Sequence, residues 1–352
     1  MKILIVKISA FGDVVHTMPI LPVIKKLSPD SVIYWAVDTR FVGLLEDSPY
    51  LDGVYSLPMR RWNKLFAAGS VREATGLIKA MRSQRFDLCI DVQGNLKSGV
   101  VSFLSGAKLR YGFDRGGVRE MPNLLFTNRK VPLLKSDVHI SRRILRVVTG
   151  AVGDSIEGVK LYPSIFIPAG LREDVRKKMG MDSGKINIAI HHGTTWETKR
   201  LSGRKWTAIV SALLSAFGAD NMDLYFTWGD GEEERVAKDI IEGFAARKRN
   251  PLRLVPSLTI RELAAFFSLM DITIGPDTGP VHLAAAIGGK TLSFYRATRG
   301  ERNAPVGPSH RYIQASVECT GCLKKECADT EKCEDGISVE EIVEKARELL
   351  KL

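Results

Sequence analysis

KILIVKISAFGDVVHTMP, Lys2 to Pro19, is the stretch of sequence that decides the fold. Its apolar run, Ile3 to Val6, is typical of a strand buried on both faces of a parallel sheet, and Gly12 permits the sharp turn that follows. Ligands of open α/β sheets bind beyond the carboxyl ends of the strands. We therefore expect Ser9 and Asp13 where chemistry takes place, although Asp13 could equally serve as a cap for the next helix.

Strands and helices alternate along both halves of the chain, which is the pattern of parallel sheets. At 352 residues the chain is longer than one hydrophobic core usually organises, so two domains are expected. The strands are predicted at 31–37, 87–94, 186–193, 222–229, 251–256 and 271–277. The helices are predicted at 71–83, 206–217, 232–247, 259–270 and 339–350. The irregular stretch 154–170, which carries glycine and proline, is predicted to connect the halves.

The composition is that of a folded enzyme, with 45% hydrophobic and 26% charged residues, and argues against a disordered or membrane-spanning chain. The sequence opens directly into a strand instead of a signal peptide, so we expect a cytoplasmic protein with reduced cysteines. A net charge of +11 indicates an anionic partner. Nucleic acid, nucleotide phosphate and an acidic membrane all fit that charge, which by itself does not choose among them.

Three segments of the second half carry the residue types that bind a phosphorylated ligand. The first, HHGTTWETKR at 191–200, follows a predicted strand and offers backbone donors, two threonine hydroxyls and Lys199 to phosphate oxygens. A plain turn would explain the glycine and the threonines but would leave Lys199 without a role.

The second segment is GPDTGPVHLAAAIGG, Gly275 to Gly289. A strand ends near Asp277 and a helix begins at Pro280, so the free amides of the helix N-terminus are expected to attract a diphosphate. In the alternative interpretation, Asp277 only caps that helix and His282 packs inside it.

The third segment is WGDGEEER, Trp228 to Arg235. Glu232 follows a predicted strand, as does the acidic residue that binds ribose hydroxyls in dinucleotide folds. Three glutamates also suit the first turn of a helix, where the helix dipole favours negative charge, and the sequence leaves both interpretations open.

Taken in order, six motifs resemble those of the ADP-heptose:lipopolysaccharide heptosyltransferases, most closely type I, over nearly the whole chain. They are IVKISAFGDVVHTMP, RRWNK at 60–64, DVQGNLKS at 91–98, HHGTTWETK, WGDGEEER and PDTGPVHLAAA. The resemblance implies an α/β protein with the GT-B fold, that is, two Rossmann-like domains facing each other across a central cleft. It implies an acceptor domain at 1–160, an ADP-sugar domain at 161–338 and a helix at 339–352 able to pack back on the first domain.

The resemblance also implies a reaction, in which heptose passes from ADP-heptose to a Kdo residue of Kdo-lipid A with inversion at the anomeric carbon. Asp13 would be the general base, and Lys199 would assist catalysis at the donor phosphates. It assigns the donor to Lys199, Thr194, Thr195, Glu232, Asp277, Thr278, Gly279 and His282, and the acidic acceptor sugars to Arg60, Arg61 and Lys64. It implies a monomer without obligatory cofactor or metal, held peripherally on the anionic cytoplasmic face of the inner membrane, with no nucleic acid partner.

Two stretches depart from the pattern of the resembled family. After Lys199 the sequence runs RLSGRKW without the Trp-Pro pair of many relatives, and FYRATRG at 294–300 lacks their Gly-Pro-Thr turn. These departures leave the donor contacts near Arg296 and the identity of the sugar open.

The cysteines pose a separate question. Cys89 falls in a predicted buried strand and is expected in the core. The other four, Cys319, Cys322, Cys327 and Cys333, form a C-x2-C-x4-C-x5-C cluster. Such spacing suits a structural zinc site or a redox link, and the alternative is a set of reduced thiols without a ligand.

Two rival functions remain at this point. A type II heptosyltransferase, which acts on a heptosylated acceptor, is slightly favoured by the cysteine cluster and disfavoured by the run from Arg60 to Lys64. A basic nucleic-acid-binding protein would explain the charge and the cysteines. It would leave Asp13 and Lys199 unexplained, and the basic residues are not interleaved with aromatic residues for base stacking.

Overall fold

The structure, a computed structural model, describes residues 1–62, 68–153, 165–181, 184–246 and 250–351. The chain divides into two compact units, Met1–Phe166 and Ile167–Leu352. The boundary expected at residue 160 lies outside the described residues, as does Lys64. Among the described residues, no helix is both long enough and apolar enough to span a membrane.

The first unit is built on a six-stranded parallel sheet with strand order β3-β2-β1-β4-β5-β6. Its strands are β1 Lys2–Val6, β2 Val32–Asp38, β3 Gly53–Leu57, β4 Leu88–Asp91, β5 Leu109–Phe113 and β6 Arg129–Val131. Its helices are α1 Phe11–Thr17, α2 Ile20–Leu27, α3 Met59–Trp62, α4 Ala68–Ser83, α5 Leu96–Leu104 and α6 Ile140–Val152, with 3₁₀ helices at Thr39–Leu44 and Met121–Leu125. The predicted fold class, α/β with parallel sheets, is confirmed here.

The second unit repeats this architecture, with strand order β12-β11-β10-β7-β8-β9 and all neighbours parallel. Its strands are β7 Ile186–His191, β8 Met222–Thr227, β9 Leu252–Leu254, β10 Ile272–Pro276, β11 Thr291–Tyr295 and β12 His310–Gln314. Its helices are α7 Leu171–Met179, α8 Gly203–Phe217, α9 Gly231–Glu242, α10 Ile260–Phe267, α11 Gly279–Ala286, α12 Gly300–Asn303, α13 Thr330–Asp335 and α14 Val339–Lys351, with a 3₁₀ turn at Glu197–Lys199. All seven predicted strands, the run Ile3 to Val6 included, are present across the two units.

Both sheets have a topological switch point, where the strand order reverses and ligands of such sheets bind. In the first unit it lies between β1 and β4, and in the second between β7 and β10. The first strand of each pair is fully apolar at its centre, because it is covered on both faces: Ile3 to Val6 and Ile188 to Ile190 are completely buried. The segments that follow these four strands are therefore brought together in pairs.

The C-terminal helix α14 belongs to the core of the second unit. Its apolar face, Ile342, Ala346 and Leu349, is completely buried in the cluster that also contains Trp206 of α8 and Ile313 of β12. The helix expected at 339–352 therefore buries its apolar face within the second unit.

Candidate active site

The turn after β1 places Asp13 in the first turn of α1. Ala10 is the N-cap residue, and the Asp13 carboxylate accepts a hydrogen bond from the Ala10 amide through Oδ2, at 3.2 Å. The capping contact foreseen from the sequence therefore exists, although Asp13 lies inside the helix and not at its N-cap. Because Asp13 is only half-buried, a carboxylate at this position can meet a ligand as well as cap the helix.

The β1 turn is held from the neighbouring strand by Gln93. Its side-chain oxygen accepts hydrogen bonds from two consecutive amides, Ile8 N at 2.6 Å and Ser9 N at 3.1 Å. Gln93 follows β4, so this contact links the segments that follow β1 and β4 at the switch point of the first sheet. Gln93 belongs to the motif DVQGNLKS, to which the sequence analysis gave no separate role.

Gln93 is itself fixed by the completely buried carboxylate of Asp91. Oδ1 of Asp91 accepts from the amides of Gln93 and Gly94, both at 3.0 Å, and Oδ2 accepts from Ser98 Oγ at 2.8 Å and Asn123 Nδ2 at 2.7 Å. Burial raises the pKa of Asp91 even though these four hydrogen bonds favour its ionised form. A chain of hydrogen bonds thus runs from the core to the turn that precedes Asp13.

A cavity of about 330 Å³ opens beside this turn. Its polar lining includes Ser9, Arg40, Arg60, Gln93, Asn95 and Lys97. Burial opposes ionisation of the neighbouring Asp38, but two hydrogen bonds from the Arg40 side chain, both at 2.9 Å, and the nearby Arg60 lower its pKa. The lining also contains the carboxylates of Asp38 and Glu120, so three cations face two anions and the cavity has a small excess of positive charge for an anionic ligand.

The predicted acceptor residues separate in the structure. Arg60 lines the cavity, whereas Arg61 is exposed and forms an ion pair with Glu73 at 3.2 Å. The sequence missed Arg40, which follows β2 and therefore lies at the same sheet edge as the β1 turn.

At the second switch point, Lys199 and Asp277 form an ion pair. Lys199 Nζ lies 2.8 Å from Asp277 Oδ2 and 4.7 Å from the ring centre of Trp196. The Asp277 side chain is 5% exposed and that of Lys199 is 15% exposed, so the pair is largely shielded from water. Thr194 is buried beside this loop, and Thr195 is exposed.

The carboxylate of Asp277 accepts hydrogen bonds from four side chains. Besides Lys199, it accepts from His282 Nε2 at 3.0 Å, Thr298 Oγ1 at 2.7 Å and Asn303 Nδ2 at 3.3 Å. Burial opposes ionisation, but His282 and Lys199 together hold the pKa of Asp277 well below its usual range. Thr298 and Asn303 were not predicted from the sequence. Both follow β11, which pairs with β10, so the sheet brings them to the end of β10 where Asp277 lies.

Asp277 does not cap helix α11, because Thr278 is the N-cap residue and Pro280 lies in the first turn. The alternative that Asp277 only caps the helix is therefore wrong. Thr278 and Gly279 lie directly after Asp277, so the amides that begin α11 flank the carboxylate and the ammonium. Gly275 is required for the approach of β10 to β7, since a Cβ there would lie 2.5 Å from the His191 carbonyl oxygen.

The glutamates of WGDGEEER point in different directions. Glu232 is exposed and forms an ion pair with Arg235 at 2.8 Å. Glu233 lies against Gly193 of the segment HHGTTWETKR, and its carboxylate accepts a hydrogen bond from Gly229 N at 2.7 Å. Burial raises the pKa of Glu233. His192 Nε2 lies 2.9 Å from the Glu233 carbonyl oxygen, so the loop and helix α9 are joined at this residue, which the sequence analysis missed.

The four clustered cysteines are all free thiols in the structure, Cys319 and Cys322 exposed, Cys327 partly buried and Cys333 buried. Within the described ranges no three His, Cys, Asp or Glu side chains come together as a metal site, so the zinc suggestion finds no support there. Cys89 lies in the core as expected, and burial raises its pKa to about 12.

The segment that contains the four cysteines, residues 319–334, instead holds the loop of Lys199 in place through hydrogen bonds. Thr198 donates to the carbonyl oxygen of Lys324 at 2.6 Å, and Glu334 accepts from both the amide and the hydroxyl of Ser202 at 2.6 and 2.7 Å. Arg296, which is 2% exposed, donates to the carbonyl oxygens of Arg200 and Thr330. The stretch around Arg296, which departs from the pattern of the resembled family, therefore also helps to hold the loop of Lys199 in place.

Replacing Gln93 by methionine tests the hydrogen bonds that hold the β1 turn. Gln93→Met keeps the size of the side chain but leaves the amides of Ile8 and Ser9 without their acceptor, so the unfolding free energy should fall by about 1–3 kcal/mol. Amide exchange at Ile8 and Ser9 should accelerate. The control is Gln84→Met, which removes only a 3.2 Å contact with the flexible Lys2 ammonium. Equal effects of the two substitutions would contradict the assignment.

Asp277→Asn tests the buried ion pair. At neutral pH the variant leaves Lys199 without its counter-charge, and the unfolding free energy should fall by about 3 kcal/mol. Because folding lowers the pKa of Asp277, its contribution is present above the unfolded pKa and is lost as pH falls through the folded pKa. The difference between wild type and variant should thus shrink below a pH of about 4.

Urea titrations at several pH values measure this difference. Asp239→Asn, which breaks the exposed ion pair of Asp239 with Arg235, is the matched control and should change the unfolding free energy little at any pH. A pH-independent effect of Asp277→Asn would show that the carboxylate charge is not what stabilises the site.

Comparison with known proteins shows the family to which the chain belongs. The model of the family described as "Glycosyltransferase family 9 (heptosyltransferase)" matches residues 74–332. Lipopolysaccharide heptosyltransferase 1 of Campylobacter coli is 27% identical over 352 residues, 99% of each chain.

Two solved structures share the fold. The Escherichia coli heptosyltransferase WaaC with ADP superposes with a TM-score of 0.80, at 23% identity, over 99% of this chain and 100% of that one. The same enzyme with ADP-2-deoxy-2-fluoro heptose gives a TM-score of 0.75, at 24% identity, over 98% and 100%. The two parallel sheets are thus those of a GT-B glycosyltransferase, and the chain belongs to glycosyltransferase family 9, the heptosyltransferases.

Proposed function

We propose that this protein transfers L-glycero-D-manno-heptose from ADP-heptose to a Kdo residue of Kdo-lipid A, in the biosynthesis of the lipopolysaccharide inner core. The observation that carries the proposal is the Lys199–Asp277 pair at the switch point of the second sheet, directly before the start of α11. The name of the Campylobacter coli relative, lipopolysaccharide heptosyltransferase 1, supports the choice of substrates.

The donor half of the reaction falls to the second unit. ADP leaves with growing negative charge, which Lys199, the hydroxyls of Thr194 and Thr195 and the amides at Gly279 would stabilise. Asp277 and its partner His282 would keep the Lys199 ammonium in position, since the carboxylate holds it at 2.8 Å. No step of this proposal is assigned to a metal.

The acceptor half falls to the first unit. The cavity lined by Arg40, Arg60 and Lys97 would receive the carboxylated Kdo sugar, and the fixed guanidinium of Arg40 suits a carboxylate. Asp13 would remove the proton of the attacking hydroxyl, while heptose is transferred in a single displacement that inverts the anomeric carbon. Arg61 and Lys64, which the resemblance assigns to the acceptor, would add positive charge for its acidic sugars.

Such an acceptor is anchored in a bilayer, so we further propose that the protein works at the cytoplasmic face of the inner membrane. Its net charge of +11 favours an anionic lipid surface. The cysteines no longer favour the nucleic-acid alternative, because they belong to a segment that forms hydrogen bonds with the loop of Lys199.

Mass analysis of an incubation with ADP-heptose and deacylated Kdo-lipid A tests the reaction, and we expect one added heptose. Asp13→Asn keeps a side-chain oxygen for the Ala10 amide but removes the base, so kcat should fall about 100- to 10,000-fold. Asp13→Ala removes both functions. If Asp13→Asn retained its rate and only Asp13→Ala lost it, Asp13 would be a cap and not the base. Transfer only to a heptosylated acceptor would instead indicate the type II enzyme.

The two glutamates of α9 allow a separate prediction about the ribose of the donor. We expect the ribose to be bound by Glu233, whose carboxylate faces the loop of Gly193, and not by the solvent-exposed Glu232 that the resemblance implies. Glu233→Gln should raise the KM for ADP-heptose about 10-fold, the cost of a hydrogen bond to a charged group. Glu232→Gln is the matched control, and a larger effect of Glu232→Gln would reverse the assignment.

A further inference from the structure

Helix α5 presents its larger apolar residues outward. Leu96, Val100 and Phe103 share one helix face by their spacing, and Leu96 and Phe103 are 43% and 49% exposed. The opposite face, which packs on the sheet, includes the small residues Ser98, Gly99 and Ser102. A surface helix ordinarily has the reverse arrangement, with apolar residues inward. Val101 is the apolar residue that α5 buries, whereas Leu96 and Phe103 leave apolar surface exposed.

The neighbouring 3₁₀ helix Met121–Leu125 extends the apolar surface. Gly99 of α5 permits its close approach, because a Cβ at Gly99 would lie 2.9 Å from Asn123 Nδ2. Met121 is 46% exposed and Leu125 is 83% exposed. The rings of Phe103 and Phe126 meet edge to face with centres 6.1 Å apart, which joins the two helices. We call Leu96, Phe103, Met121 and Leu125 the α5 patch.

The segment that carries the α5 patch is rich in basic residues. Residues 96–130 contain seven basic side chains, Lys97, Lys108, Arg110, Arg115, Arg119, Arg129 and Lys130, against two acidic ones, Asp114 and Glu120. Both acidic side chains accept hydrogen bonds from backbone amides, Gly117 N at 2.9 Å and Leu96 N at 2.8 Å. The Arg110 guanidinium lies 5.5 Å from the centre of the Phe103 ring. The patch therefore combines exposed apolar side chains with a basic rim.

The α5 patch is continuous with the cavity of the first unit. Leu96 belongs to both, and Lys97 and Glu120, which flank the patch, also line the cavity. A ligand in the cavity and a surface against the patch would thus be neighbours. An apolar patch with a basic rim fits the interface of an anionic bilayer, where apolar side chains enter the headgroup region and cations meet lipid phosphates.

We propose that the α5 patch docks on an anionic lipid surface, with Met121 and Leu125 inserted and the basic rim on the headgroups. The inference rests on the proposed function, because it brings the acceptor cavity to the bilayer that holds the acceptor lipid. It assigns membrane contact to one named surface and not to the net charge of the whole chain.

Co-sedimentation of the full chain with lipid vesicles tests the docking surface. The wild-type protein should bind vesicles of phosphatidylcholine mixed with phosphatidylglycerol and not those of phosphatidylcholine alone. The double variant Met121→Ser/Leu125→Ser should partition about 10-fold more weakly, through the loss of two inserted apolar side chains. Val71→Ser/Val306→Ser is the matched control, since it removes two side chains that are also exposed, at 61% and 78%, and lie elsewhere.

Activity on the deacylated acceptor separates this inference from the proposed function. Met121 and Leu125 do not line the cavity, so the double variant should retain the wild-type kcat/KM on the soluble acceptor. Vesicle binding is measured without any substrate and therefore stands whether or not heptose is transferred. Equal binding by the double variant and the control variant would overturn the proposal. So would a wild-type dimer that Met121→Ser/Leu125→Ser dissociates without any change in vesicle binding.

Discussion

The ion pair between Lys199 and Asp277 is the interaction on which the second unit's site depends. Two opposite charges that are largely withdrawn from water are stable only when geometry and further hydrogen bonds offset their desolvation. Here His282, Thr298 and Asn303 complete the shell of Asp277. Segments from three neighbouring strand ends thus converge on one carboxylate, and their positions are coupled through it.

The first unit has the same strand order, but its switch point is held by different residues. In the first unit the ends of β1 and β4 are joined by the neutral amide of Gln93, backed by the buried carboxylate of Asp91. The neutral side-chain oxygen of Gln93 fixes the turn that precedes Asp13 through two hydrogen bonds. One sheet thus holds Lys199 in a largely buried ion pair, and the other supports a half-buried carboxylate beside a cavity whose lining includes Arg40, Arg60 and Lys97.

Much of this architecture could be predicted from the sequence, because buried parallel strands such as β1 and β7 are continuous apolar runs. Strands β3, β5, β6, β11 and β12 were not predicted. They are three to five residues long, and a short strand carries little periodicity. The pairing of Lys199 with Asp277 was also beyond the sequence, although both residues were named, because 78 positions separate them and only the strand order joins them. Similarly, three consecutive glutamates look alike in sequence, and only the packing of α9 turns Glu233 inward.

ADP binding to wild type and Lys199→Met, measured by titration calorimetry beside adenosine, tests the central claim that Lys199 is held for the donor phosphates. The dissociation constant for ADP should rise about 10- to 100-fold in the variant, the cost of a charge-assisted hydrogen bond. The constant for adenosine, which has no phosphate, should not change. An unchanged constant for ADP, or an equal loss for ADP and adenosine, would contradict the claim.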